Sequence, residues 1–199
     1  MKFLSLLFLV LSTSLQASVV GLTTHQLSEE ARVLTLESVG YMNQRHEMGF
    51  GLRYTHGVQQ GQLLDVYAGG AQHSRGFSFG AGMDFEILSD EGYQPRVSLK
   101  PFYQHQKFES SKLTNLGAAP TLRKALAIFD TNFYPFIAVP MGVQIDSSDD
   151  EFVYLASVSV GASMAIPNTE EKLVVSLEGN KNLGAASDSL SALISWVWN

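Results

Sequence analysis

Residues 75–88 read RGFSFGAGMDFEIL. Phe77, Phe79, Ala81, Met83, Phe85 and Ile87 occupy every second position, with Ser78, Gly80, Gly82, Asp84 and Glu86 between them. Side chains of an extended strand alternate between faces, so this stretch has one apolar face and one small or charged face. A helix would mix the two sets.

The same period runs outward in both directions. Met48, Phe50, Leu52 and Tyr54 oppose Gly49, Gly51, Arg53 and Thr55. Val97, Leu99, Pro101 and Tyr103 oppose Arg96, Ser98, Lys100, Phe102 and Gln104. Residues 152–166 put Phe152, Tyr154, Val158, Val160 and Met164 opposite Ser157, Ser159, Gly161 and Ser163. Leu173, Val175 and Leu177 oppose Ser176 and Glu178, and Leu190, Ile194, Trp196 and Trp198 oppose Ser191 and Ser195. Weaker alternation covers residues 31–42, 63–70 and 133–145, the last holding Pro135 and Pro140, which predict a bulge or a strand end. Turn-forming clusters separate the runs, among them residues 56–61, 89–92, 130–132 and 146–150. Residues 109–120 read as one long interruption, and residues 121–129 as a tenth strand or a short helix, with the strand preferred. The count favours ten strands and the chain length favours eight.

The 199 residues carry 45% apolar and only 16% charged side chains, with 17 glycines and 11% aromatics. The charged share is below the quarter typical of soluble domains. A net charge of −6 gives no basic footprint, so no nucleic-acid partner is expected. The absence of Cys excludes disulfides, thiolate catalysis and Cys-ligated zinc. Lys2, the apolar run FLSLLFLVL at residues 3–11 and the small exit to Ala17 have the layout of a secretory leader. The expected organisation is a leader at residues 1–17 and one β-barrel domain at residues 18–199. No later run reaches 18 uninterrupted apolar residues, so any membrane crossing must use strands closed into a barrel.

Two architectures accept these strands. In a soluble barrel the apolar face points inward; in an outer-membrane barrel it meets lipid and the polar face lines the interior. Here the polar face is Gly and Ser with a few charges, which suits a crowded interior better than a water-facing surface. The other face carries Phe50, Tyr54, Phe77, Phe79, Phe85, Tyr103, Phe152, Tyr154, Trp196 and Trp198, the residue types of membrane-facing positions and interfacial girdles. The expected fold is all-β, a single closed antiparallel transmembrane barrel of 8–10 strands.

The leader, the lack of Cys, the Gly-and-aromatic alternation and the last strand, LSALISWVWN at residues 190–199, resemble small bacterial outer-membrane β-barrel proteins of the outer-membrane protein A, W and X type. The resemblance spans the mature chain in pattern and contains no diagnostic motif. It implies a location in the outer membrane, lipid as the surrounding partner, and a barrel-assembly machinery that reads a terminal aromatic residue. Here Asn199 follows Trp198.

The sequence offers no reaction centre. Some outer-membrane lipid hydrolases resemble one another in a His-x-Ser arrangement, but His73-Ser74 has the wrong spacing, and His56 and His105 lack the following Ser. His25, His46, His56, His73 and His105 show no zinc spacing. Residues 146–151 (DSSDDE) lack the glycine and final glutamate of an EF-hand. No cofactor or metal is expected and no enzyme activity, with a lipid-modifying outer-membrane enzyme as the minor alternative. The polar face does phase charges of both signs inward: Glu37, Arg53, Asp65, Asp84, Glu86, Arg96, Lys100 and Glu178, with Glu47 and Arg123. Buried charges need partners, so the expectation is an interior plugged by ion pairs, with several of these residues at the rims as the alternative. The functional expectation is a monomeric barrel with a structural, surface-interaction or narrow-passage role. Its rival is a soluble periplasmic or secreted lipocalin-like barrel, whose apolar face would line a ligand cavity.

Overall fold

The computed structural model describes residues 27, 29–42, 48–71, 76–107, 112–128, 131–147, 151–170, 172–183 and 188–198. The leader at residues 1–17, His25, His46, Glu47 and His73 lie outside the described residues.

The strands are β1 Arg32–Tyr41, β2 Met48–Gln59, β3 Gln62–Ala71, β4 Phe77–Leu88, β5 Arg96–Lys107, β6 Lys112–Arg123, β7 Leu126–Ile128, β8 Thr131–Ala138, β9 Met141–Asp146, β10 Glu151–Ala165, β11 Leu173–Asn182 and β12 Ser189–Trp198. Each pairs antiparallel with its neighbours, and β12 pairs with β1 to close the sheet. β6 and β7 face β8 in one unbroken register, from Thr121↔Ala138 to Ile128↔Thr131. β8 and β9 likewise keep one register against β10, from Ala138↔Ser159 to Met141↔Ala156. The twelve segments are therefore ten staves of a closed barrel.

From Glu37, the pairings lead through Gly51, Gly69, Ser78, Gln106, Leu113 and Asp146 to Glu151 on β10. The opposite way round leads through Leu193 and Ser176 to Ser163. The two arrivals differ by twelve residues along β10. At the usual strand spacing and rise, that stagger tilts the staves by roughly 40°.

Two sequence expectations are corrected, and a third is met in one of its two forms. Residues 109–120 are not an interruption, because β6 starts at Lys112. Its outward face holds Thr114, Ala118 and Pro120 beside Leu116 and Leu122, too little apolar contrast to show a period of two. At Pro140 the strand end is found and not the bulge: β8 stops at Ala138 and β9 starts at Met141. Proline simply lacks the ladder N–H, and Val139 N still bonds Pro120 O while Ser157 N bonds Pro140 O, so the register runs through. The bulges lie instead in β2 between Gly57 and Gln59 and in β4 between Glu86 and Leu88. Tyr54 and Tyr103, read as strand-end aromatics, lie inside β2 and β5, because those strands continue to Gln59 and Lys107.

The two faces of the wall are unlike. Leu36, Leu52, Phe77, Ile87, Val160, Leu177 and Trp196 are exposed on the outside. Thr35, Arg53, Asp65, Asp84, Lys100, Ser159 and Ser195 are buried inside. This is the reverse of the lipocalin-like arrangement. Interior aromatics lie over glycines on neighbouring staves: Tyr67 is paired with Gly80, Phe102 with Gly117 and Phe136 with Gly161. A Cβ at each of these glycines would come within 2.4–2.7 Å of the facing ring, so glycine makes room for the aromatic side chain.

Candidate functional site: the barrel interior

The interior divides into two sectors. On the walls from β1 to β6, strand alternation brings charged side chains to one another across neighbouring staves. Arg53 sits between Asp65, at 2.7 Å, and Glu37, at 3.5 Å. Lys100 Nζ lies 2.8 Å from the other oxygen of Asp65. Arg96 lies 2.8 Å from Asp84 and 2.6 Å from Glu86. The Arg53 guanidinium also lies 5.0 Å from the centre of the Tyr67 ring, and that of Arg123 lies 5.6 Å from the Tyr134 ring, both within cation–π range. Glu178 faces this belt from β11 within electrostatic reach of Arg53.

Glu37, Arg53, Asp65, Asp84, Arg96, Lys100, Arg123 and Glu178 are all buried. Glu86 is half-buried near the end of β4, where Ser89 and Arg96 bond its carboxylate. There it helps line a recess of about 140 Å³ with Arg96, Ser89, Asp90, Gln60 and Leu63. The loop over this recess is pinned by Lys124, which bonds Asp90, Gly92 O and Gln94 O, and by Ala125 N–H donating to Asp90 at 2.6 Å. Burial pushes the Asp90 carboxyl up. The bonds from Lys124 and Ala125 and the charges of Lys124 and Arg123 outweigh it and hold the group below its ordinary range.

The walls from β10 to β12 are lined mainly by serines, with Val174, Leu193 and Glu178 buried among them. Thr35 and Ser195 share a hydrogen bond of 3.0 Å, and Ser176 donates to Ser163 at 2.7 Å. Asn180 donates to Ser157 and Ser159. Towards the rim opposite Arg32, an amide row crosses three staves. Gln144 Nε2 donates to Asn115 Oδ1 at 3.0 Å, and Asn115 Nδ2 donates to Gln104 Oε1 at 3.2 Å. These residues are direct register partners. The row was not singled out in the sequence because Asn115 falls in the stretch read as an interruption. Tyr67 was likewise read only as a strand residue, although it lies against the Arg53 guanidinium and over Gly80.

Phe50, Tyr54, Phe77, Phe79, Phe85, Tyr103, Phe152, Tyr154 and Trp196 are exposed on the outer face, and Trp198 is half-buried at the end of β12. His56 and His105 also lie on the outer face, against the rings of Tyr54 and Phe79. The interior serines line the opposite side of the wall. An apolar cleft of about 380 Å³ lies on the outside between Ile128, Thr131, Phe133, Met164 and Pro167.

No protein-family model matches the chain, and no curated protein matches it. Among solved structures, the chain is similar to the crystal structure of Ail, the attachment invasion locus protein of Yersinia pestis, in complex with the heparin analogue sucrose octasulfate. The sequence identity is 10% and the TM-score 0.34, covering 86% of this chain and 100% of that one.

Proposed function

We propose that this protein spans a bacterial outer membrane as a monomeric ten-stave barrel, reached by export through the leader at residues 1–17. Its partners there are the surrounding lipid and, during biogenesis, the barrel-assembly machinery. The observation that carries this reading is the orientation of the two faces: a band of exposed Leu, Val, Ile, Phe and Trp encloses a buried set of charged and hydroxyl side chains. Water on that outer face would expose a large apolar surface, whereas lipid removes the cost. Closure satisfies the strand edges, as a bilayer requires.

Within the membrane the role is structural or that of a narrow passage. The ion-pair belt and the aromatics over glycines close the interior to free diffusion of solutes. Surface interaction is confined to the segments that join the staves, residues 42–47, 60–61, 72–76, 89–95, 108–111, 129–130, 147–150, 166–172 and 183–188. Among the described residues, His56 and His105 face outward and the interior serines lie on the other face of the wall, so no catalysis is assigned to them. Fractionation with the outer membrane, faster migration of unheated protein on SDS gels and no steady conductance in planar bilayers are the expected results. Recovery as a detergent-free soluble protein refutes the membrane reading. A large steady conductance refutes the closed interior alone.

A further inference from the structure

We propose that Ser78, Gln104 and Gln106 form a built site for a neutral hydroxyl group, supplied by water or by a small polyol. Gln106 is 1% exposed, yet neither its Oε1 nor its Nε2 has a hydrogen-bond partner. Gln104 Nε2 and Ser78 Oγ are also buried without a partner. The three residues are neighbours: Ser78 and Gln106 are direct cross-strand partners, and Gln104 follows on the same face of β5. Gln104 already accepts from Asn115, so the amide row ends here with a donor to spare.

Buried amides in folded proteins nearly always find a partner, in the protein or in ordered water. The open atoms define the ligand. Gln104 Nε2, Gln106 Nε2 and the Ser78 hydroxyl can donate, while Gln106 Oε1 and Ser78 Oγ can accept. An anion would use only the donors and a cation only the acceptors. A hydroxyl group both donates and accepts, and it brings no charge needing compensation. The nearby interior cation Lys100 is already engaged by Asp65. Ser78 and Gln106 each lie one residue inside a strand end, since β4 begins at Phe77 and β5 ends at Lys107. The site therefore lies just within the ends of these two strands. This inference concerns the interior alone and holds for the barrel in any surroundings.

The test is side-chain amide NMR on the full ¹⁵N-labelled chain, exported and folded in detergent micelles. Bound water gives water cross-peaks at the Gln106 and Gln104 Nε2 protons. A polyol site instead gives saturable shifts of those resonances on titration with erythritol. Absence of both overturns the proposal. Gln106→Met, similar in length and apolar, supplies a second readout. A filled site loses its bonds, and Tm falls by several degrees. A dry site is relieved of an unpaired amide, so an unchanged or raised Tm also overturns the proposal.

Discussion

Asp65 is the carboxylate on which the interior belt turns, and Asp65→Asn tests that belt directly. One carboxylate oxygen lies 2.7 Å from Arg53 and the other 2.8 Å from Lys100, with all three side chains at most 2% exposed. Unit charges 2.8 Å apart attract by on the order of 6 kcal/mol at an effective dielectric near 20, most of it offset by desolvation. Neutralising one member of a buried pair is costlier than the pair is worth, because the partner charge stays buried; the usual loss is about 3–5 kcal/mol. Arg53 retains Glu37 and Lys100 retains the charge of Asp84, but both lose the carboxylate that binds them directly. Asp65→Asn is therefore expected to lose about 3 kcal/mol or more, and adding Lys100→Met should recover about half of that loss. The assay is guanidinium unfolding in micelles, followed by Trp196 and Trp198 fluorescence and by gel mobility. A single variant within about 0.5 kcal/mol of the parent, or a double variant showing simple additivity, would refute a belt held by paired buried charge.

Gly161→Ala places a Cβ about 2.4 Å from Leu177 O and 2.6 Å from the Phe136 ring; overpacking of this kind should cost about 1–3 kcal/mol, and Gly161→Ala combined with Phe136→Leu should recover only part of it, since the backbone contact remains. Phe79→Arg sets a charge on the outer face, so folding into lipid vesicles should weaken by about 2–4 kcal/mol, whereas an Arg on a water-facing surface would cost almost nothing. Pro120→Val returns an N–H facing Val139 O and should raise unfolding stability by about 0.5–1 kcal/mol; a loss would show that the wall needs the gap. The folded-state carboxyl of Asp90 is held below its ordinary 3.8, so its contribution is full above that value and disappears as pH falls further. Amide protection at residues 89–95, taken relative to the unfolded chain at the same pH, should fall on acidification below about pH 3.8, and Asp90→Asn should show the reduced protection already at neutral pH.

The period of two was legible because neighbouring strand residues point to opposite faces by covalent geometry alone, whatever the strand packs against. Residues 75–88 show this plainly, with Phe77, Phe79 and Phe85 outside and Ser78, Gly80 and Asp84 inside. β6 was hidden because its identity rests on pairing with β5 and β9: Thr114, Ala118 and Pro120 suit the outer wall without announcing it. The charged residues could be phased inward from sequence, but their partners could not be named. Asp65 meets Lys100 because β3, β4 and β5 lie side by side at a particular register.

The sequence by itself determined most of the strands, their two faces and the chemical character of each face. Tertiary structure decided that the apolar face is the outer one, that ten staves close with a twelve-residue stagger, and which interior groups meet. The physical reason is that alternation is a local property of each strand. Direction, closure and partnership are set by hydrogen bonds between residues as distant as Arg32 and Trp198, and no local pattern carries that information.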